Sequence, residues 1–97
     1  MKKFVCMHIG FEKPTPEIME AWGQWFESIK DCTVENIGFR GGKEITDAGV
    51  TDLGWDTESI TGLSIINADS LEDAEKIAAS NPFISSIRVY EVMEHKG

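Results

Sequence analysis

The sequence predicts an α+β fold in which a four-stranded antiparallel sheet carries two helices on one face. Apolar runs of strand length occur four times, at residues 3–9, 34–39, 60–67 and 86–93. Two of the intervals between them place apolar side chains at helical spacing behind a hydroxyl-bearing cap. The order is strand, helix, strand, strand, helix, strand, and two right-handed crossovers put both helices on the same side of the sheet.

Lys3 to Ile9 is rich in Phe, Val, Met and Ile and stops at Gly10, which suits a first strand with a histidine, His8, inside it. The loop GFEKPTP follows. Thr15, Pro16 and Glu17 then start a helix: a hydroxyl accepts a free backbone N–H, proline stands where no N–H is needed, and an acid sits at the positive end. Ile18, Met19, Trp22, Trp25, Phe26 and Ile29 form one stripe of that helix, opposite Glu20, Gln24, Glu27 and Asp31, and its end is expected near Asp31 or Cys32. Aromatic residues at this spacing are read mainly as core.

Val34 to Phe39 forms the second strand. Arg40 to Ser59 is the least regular stretch, with Gly41, Gly42, Gly49, Gly54 and an isolated Trp55, and reads as a long excursion in which Glu44 to Thr46 adds a short hairpin strand. Ile60 to Asn67 returns to strand character. Ser70, three residues before Asp73, caps a second helix with Leu71, Ala74, Ile77 and Ala78 on one face, and Asn81-Pro82 stops it. Ser86 to Met93 is the last strand, and EHKG a frayed tail. The whole of 1–97 is expected to be a single domain of the ferredoxin-like βαββαβ type.

Composition narrows the partners. The net charge is −8, from 17 acidic against 9 scattered basic residues, which disfavours nucleic acid and anionic membrane. No apolar run reaches membrane-spanning length and none resembles a signal peptide, so a cytoplasmic location is expected. Cys6 and Cys32 lack metal-binding spacing, and His8 and His95 build no cluster with them; neither a metal nor a cofactor is expected. Gly41-Gly42 has no phosphate-binding fingerprint around it.

A sheet covered on one side should alternate apolar with polar, yet these strands do not. Phe4, Cys6 and His8 lie on one side of the first strand, and Val5, Met7 and Ile9 on the other; Leu63 and Ile65 oppose Ile66; Ile87 and Val89 oppose Tyr90 and Val92. Both faces are apolar, so a second subunit is expected to cover the one that lacks helices, giving a homodimer. A small-molecule pocket is expected in the cavity between the two facing sheets.

The stretch SITGLSIINADSLEDAEKIAASNPFISSIRVYEVM, with the opening MKKFVCMHIG, resembles the YCII-related family, including its DGPF-type branch, within the dimeric α/β-barrel superfamily. The resemblance implies a ferredoxin-like dimer with its sheets packed face to face. Some relatives carry a histidine early in the first helix and an aspartate before the proline after the second, a pair proposed as an acid/base site. This chain departs at both places. The segment 16–31 holds no histidine, Asn81 precedes Pro82, and TDLGW at 51–55 stands where the DGPF signature would be.

An asparagine hydrogen-bonds but cannot hold and charge an imidazole as a carboxylate does, so that mechanism does not carry over. The remaining ligand-binding candidates are His8, Arg40, Trp55 and Tyr90. His8 would bind a ligand or move a proton if its side of the strand faces the cavity; the plain alternative is a neutral histidine satisfied by backbone or water. Arg40 and Trp55 would reach over a cavity mouth from the long loop, the arginine toward a carboxylate and the indole over an apolar body. Tyr90 is equally consistent with strand packing. The expected function is binding of a small organic acid or aromatic compound, with acid/base catalysis by His8 as the alternative.

Overall fold

The computed structural model describes residues 1–93; the tail Glu94 to Gly97, including His95, lies outside the described residues. The elements are β1 (Lys2–Ile9), α1 (Pro16–Ser28), β2 (Thr33–Gly38), β3 (Gly42–Thr46), β4 (Gly49–Leu53), β5 (Ile60–Ala68), α2 (Leu71–Ala79) and β6 (Ser86–Glu91). Four strands form one antiparallel sheet in the order β2-β5-β1-β6, while β3 and β4 pair only with each other. This is the expected ferredoxin-like fold. The excursion between β2 and β5 is more regular than expected, because it contains a complete hairpin rather than one short strand.

Both helix starts rest on the side chains that announced them. The Thr15 hydroxyl accepts from the Ile18 N–H at 3.2 Å, and the Ser70 hydroxyl from the Asp73 N–H at 3.1 Å. α1 ends at Ser28, a few residues short of expectation, because the Lys30 and Cys32 amides close tighter, three-residue turns on the Glu27 and Ile29 carbonyls. α2 ends at Ala79, one residue after its last core side chain, Ala78.

Alternation assigns the two faces of the sheet. Phe4, Cys6 and His8 of β1 and Gly62, Ser64, Ile66 and Ala68 of β5 are buried beneath the helices. With Trp25 of α1, Ile29 at its C-terminal cap and Ala74 and Ala78 of α2, most of them form the core. Val5, Met7, Ile9, Leu63 and Ile65 occupy the other face and are half-buried in the single chain. No described helix is long and apolar enough to cross a membrane.

The two helices sit differently on the sheet. α2 seats closely on β5 and β6 through alanines, whereas no Cα of α1 comes within 8 Å of a Cα in any other element. Trp22, Trp25, Phe26 and Ile29 span that gap. Bulky rings here act as spacers.

Gly62 marks a close approach between β5 and β2. A Cβ built on it would lie 2.5 Å from the Ile37 carbonyl oxygen and 3.2 Å from the Gly38 Cα, both main-chain atoms that only a shift of β2 can move. Gly62→Ala is therefore expected to destabilise the fold by about 1–3 kcal/mol, read as a lower melting temperature in a thermal unfolding scan; an unchanged melting temperature would show that β2 yields freely.

Candidate functional site

The stand-off of α1 leaves a cavity of about 340 Å³ between the helix and the sheet. Its floor comes from adjacent strands: His8 of β1, Gly62 and Ser64 of β5, and Asn36 of β2. Its walls are Ile18, Trp22 and Phe26 of α1, with Phe11 and Met19 among the more exposed lining residues. Among the described residues, Glu12 is the one charged lining residue, and no lysine or arginine faces the space.

His8 Nε2 lies 2.9 Å from the hydroxyl of fully buried Ser64. Nδ1 is buried without a hydrogen-bond partner among the described residues. If Ser64 donates to Nε2, the proton of the neutral ring sits on Nδ1, and one group is left unpaired. The opposite tautomer leaves both the Ser64 hydrogen and the Nδ1 lone pair unmatched, so the first arrangement costs less. The ring stands edge-on to two indoles, 4.9 Å from Trp22 and 5.7 Å from Trp25, centroid to centroid. Trp25 is itself fixed by its indole N–H, which donates to the Ile77 carbonyl at 3.3 Å and the Ser80 hydroxyl at 3.1 Å.

Burial pushes the His8 imidazole down to about 4 from its ordinary 6.5, and no ionised neighbour adds to the shift. At neutral pH the site offers uncharged hydrogen-bonding groups in an apolar surround. Cys6, in the core beside it, is pushed up to about 11, first by burial and then by Cys32, so it stays a thiol and supplies no nucleophile. Among the described residues, no three His, Cys, Asp or Glu side chains converge as metal ligands would.

The four sequence candidates do not form one site. His8 faces the helices, not the bare side of the sheet, because the aromatic stripe of α1 packs on the Phe4-Cys6-His8 side; the pocket expected between facing sheets is, at His8, a pocket within one chain. Arg40 and Trp55 come together in a shallow recess with Phe11, Phe39 and Thr61. Phe11 and Thr61 also line the His8 cavity, which makes the recess its neighbour, and Phe11 packs against Trp55 with ring centroids 5.7 Å apart and planes tilted by 40°. Tyr90 is on the opposite face of the sheet, across from Val5 and 56% exposed.

Ser64, Asn36 and the lining role of Trp22 were not singled out by the sequence. Ser64 carried a signal all the same: it interrupts an apolar strand at a position that alternation assigns to the same side as Ile66. Asn81, read as a helix stop, donates its backbone N–H to the Ala78 carbonyl at 3.0 Å, while its buried side-chain amide has no partner among the described residues.

The depressed value for His8 fixes a pH dependence. The unfolded chain takes up this proton below pH 6.5 and the folded chain only near 4, so the contribution of neutral His8 is complete above 6.5 and is lost as pH falls through 4. Between pH 7 and 4.5 the loss is on the order of 2–3 kcal/mol. His8→Gln is expected to reduce the fall in the urea midpoint over that range, measured beside the parent so that carboxylate titration cancels; equal falls in both proteins would contradict the assignment.

No family model matches the chain, and no curated relative does. Among solved structures, 5-chloro-2-hydroxyhydroquinone dehydrochlorinase from Burkholderia phenoliruptrix, in complex with 2,5-dihydroxybenzoquinone, aligns with a TM-score of 0.61 over 97% of this chain and 96% of that one. The identity is 14%, so what the two share is the fold.

Proposed function

We propose that this protein binds a small, uncharged aromatic molecule in the cavity between α1 and the sheet. The observation that carries the reading is the His8–Ser64 pair, a neutral polar floor beneath aromatic walls in a space of about 340 Å³. That volume suits a single substituted ring, and a mostly apolar pocket with a few placed polar groups is the usual form of a ligand site. An organic acid is the weaker candidate: no cation among the described residues lines the cavity, Glu12 would repel a carboxylate, and burial already disfavours charge at His8. The solved neighbour is a complex with 2,5-dihydroxybenzoquinone, a single-ring compound, which supports a ligand of that size; as a vinylogous acid it does not bear on the preference for an uncharged one.

Catalysis by His8 is the alternative, supported by the reaction class in the neighbour's name. The chemistry of this chain supports it less. A base near 4 taking a proton from a phenol near 10 works against about six pH units, roughly 8 kcal/mol. Arg40 lies in the adjoining recess and is not a lining residue of the His8 cavity.

The assembly belongs to the same proposal. Val5, Met7, Ile9, Leu63 and Ile65 make a continuous apolar surface on the side without helices, and a second copy packed sheet to sheet would remove it from water. A homodimer of this kind, with kinship to YCII-like proteins of the dimeric α/β-barrel superfamily, is supported by the ferredoxin-like fold and by the order and spacing of residues 59–93.

Titration calorimetry with resorcinol as probe tests the ligand class. Resorcinol is expected to bind and benzoate not, and His8→Ala to weaken resorcinol by about tenfold, the worth of one hydrogen bond in a dry site. Equal affinity for the two compounds, or no loss in the variant, would overturn the reading; resorcinol turnover by the parent and not by His8→Ala would favour the enzyme. Sedimentation equilibrium is expected to give a dimer, and Leu63→Asp, a charge placed in the middle of the bare face, to give monomer.

A further inference from the structure

Among the described residues, the β3–β4 hairpin stands apart from the other strands and helices. None of its Cα atoms comes within 8 Å of one in another strand or helix, and all its residues are exposed. Ile45, Val50 and Leu53 are 78%, 62% and 52% exposed, although Ile45 and Val50 are directly paired across the ladder. A lone two-stranded hairpin is marginal in water, and the exposed Lys43–Asp52 ion pair adds little to it. It also widens the molecule: the radius of gyration is 14.7 Å, against roughly 12.5 Å for a compact chain of this length.

Three further observations say what the hairpin meets. Its base, through Gly42 and Leu53, shares a groove with Met7 and Ile60, so it rises on the side of the sheet that Met7 faces, the side without helices. The molecule is only 18 Å thick against 43 and 40 Å in its other dimensions, a plate to which a stacked copy would give ordinary globular depth. The charges are complementary: the hairpin carries Glu44, Asp47 and Asp52 against one lysine, and the bare sheet face carries Lys3 and Arg88 against Glu35.

We propose that the β3–β4 hairpin is an arm that closes over a second copy of this chain packed on the bare sheet face, with its Ile45–Val50 pair against that copy and its acids toward Lys3 and Arg88 of the partner subunit. This rests on the sheet-to-sheet dimer proposed above and adds to it an element the sheet faces alone do not require. In a two-fold assembly each copy gives an arm and receives one, so the contact is made twice. The groove beside Met7 and Trp55 is then walled by both copies.

Two measurements test it. Sedimentation equilibrium on Ile45→Asp/Val50→Asp is expected to show a dimer Kd raised at least about tenfold with an unchanged circular dichroism spectrum. Hydrogen exchange on the unmodified protein is expected to show the amides of 42–46 and 49–53 slowed above the dimer Kd and fast below it. A dimeric parent whose double variant associates equally well, or whose arm amides exchange alike at both concentrations, overturns the arm and leaves the sheet-to-sheet dimer standing. A parent that is monomeric at its highest soluble concentration overturns both. Should the double variant fail to fold, the exchange measurement decides alone.

Discussion

Aromatic rings hold α1 away from the sheet, and the rest of the site follows from that distance. Were the helix seated on small residues, as α2 is on Ala74 and Ala78, His8 would be pressed against backbone and no cavity would exist. Trp25 fixes the far end of the gap by its two hydrogen bonds to the C-terminal turn of α2, and Trp22 and Phe26 carry it onward. The helix is thus propped at one end and open toward Phe11 and Met19. A polar floor under such a roof needs partners of its own, and the Ser64 hydroxyl supplies one of them.

The sheet answers two demands at once. Its covered face must hold an apolar core and yet admit His8, Ser64 and Asn36; its bare face is nearly as apolar, with Leu63 and Ile65 where water would ordinarily find polar groups. Central strands β1 and β5 carry both burdens, flanked by the shorter edge strands β2 and β6. Gly62 allows this crowding, since β2 lies where any larger residue would put its Cβ. The acidic surface is consistent with the same economy: no acid lies on the central strands β1 and β5, whose only charges are Lys2 and Lys3 at one end.

Much of the fold was legible because local chemistry dictates it. Thr15-Pro16-Glu17 and Ser70-x-x-Asp73 each name a helix start through one hydroxyl and one backbone N–H, an interaction within four residues that needs no tertiary knowledge. Asn81-Pro82 stops α2 for an equally local reason. The side on which His8 falls was harder. Alternation tells which residues share a face, but with both faces apolar it does not tell which one receives the helices, and Trp22 and Trp25 as generic core gave no hint that one of them borders a void. The cavity depends on a sum of side-chain sizes across two elements, and the hairpin's isolation on the absence of neighbours; neither is written in any short window. Ser64 was within reach, as a hydroxyl amid Leu63, Ile65 and Ile66.

The contrast between a close-packed sheet and a propped helix divides adaptability unevenly. His8 and Ser64 sit on hydrogen-bonded central strands, where a substitution disturbs register and core together, while Ile18 and Met19 line the chamber from the helix without belonging to the core. Selection for a new ligand would therefore find its raw material at the open end of the roof: trimming or enlarging Ile18 and Met19 reshapes the chamber while Trp22, Trp25 and Phe26 keep the helix at its distance. Lineages built on this plan should diverge fastest along α1 and most slowly at the paired strands beneath it.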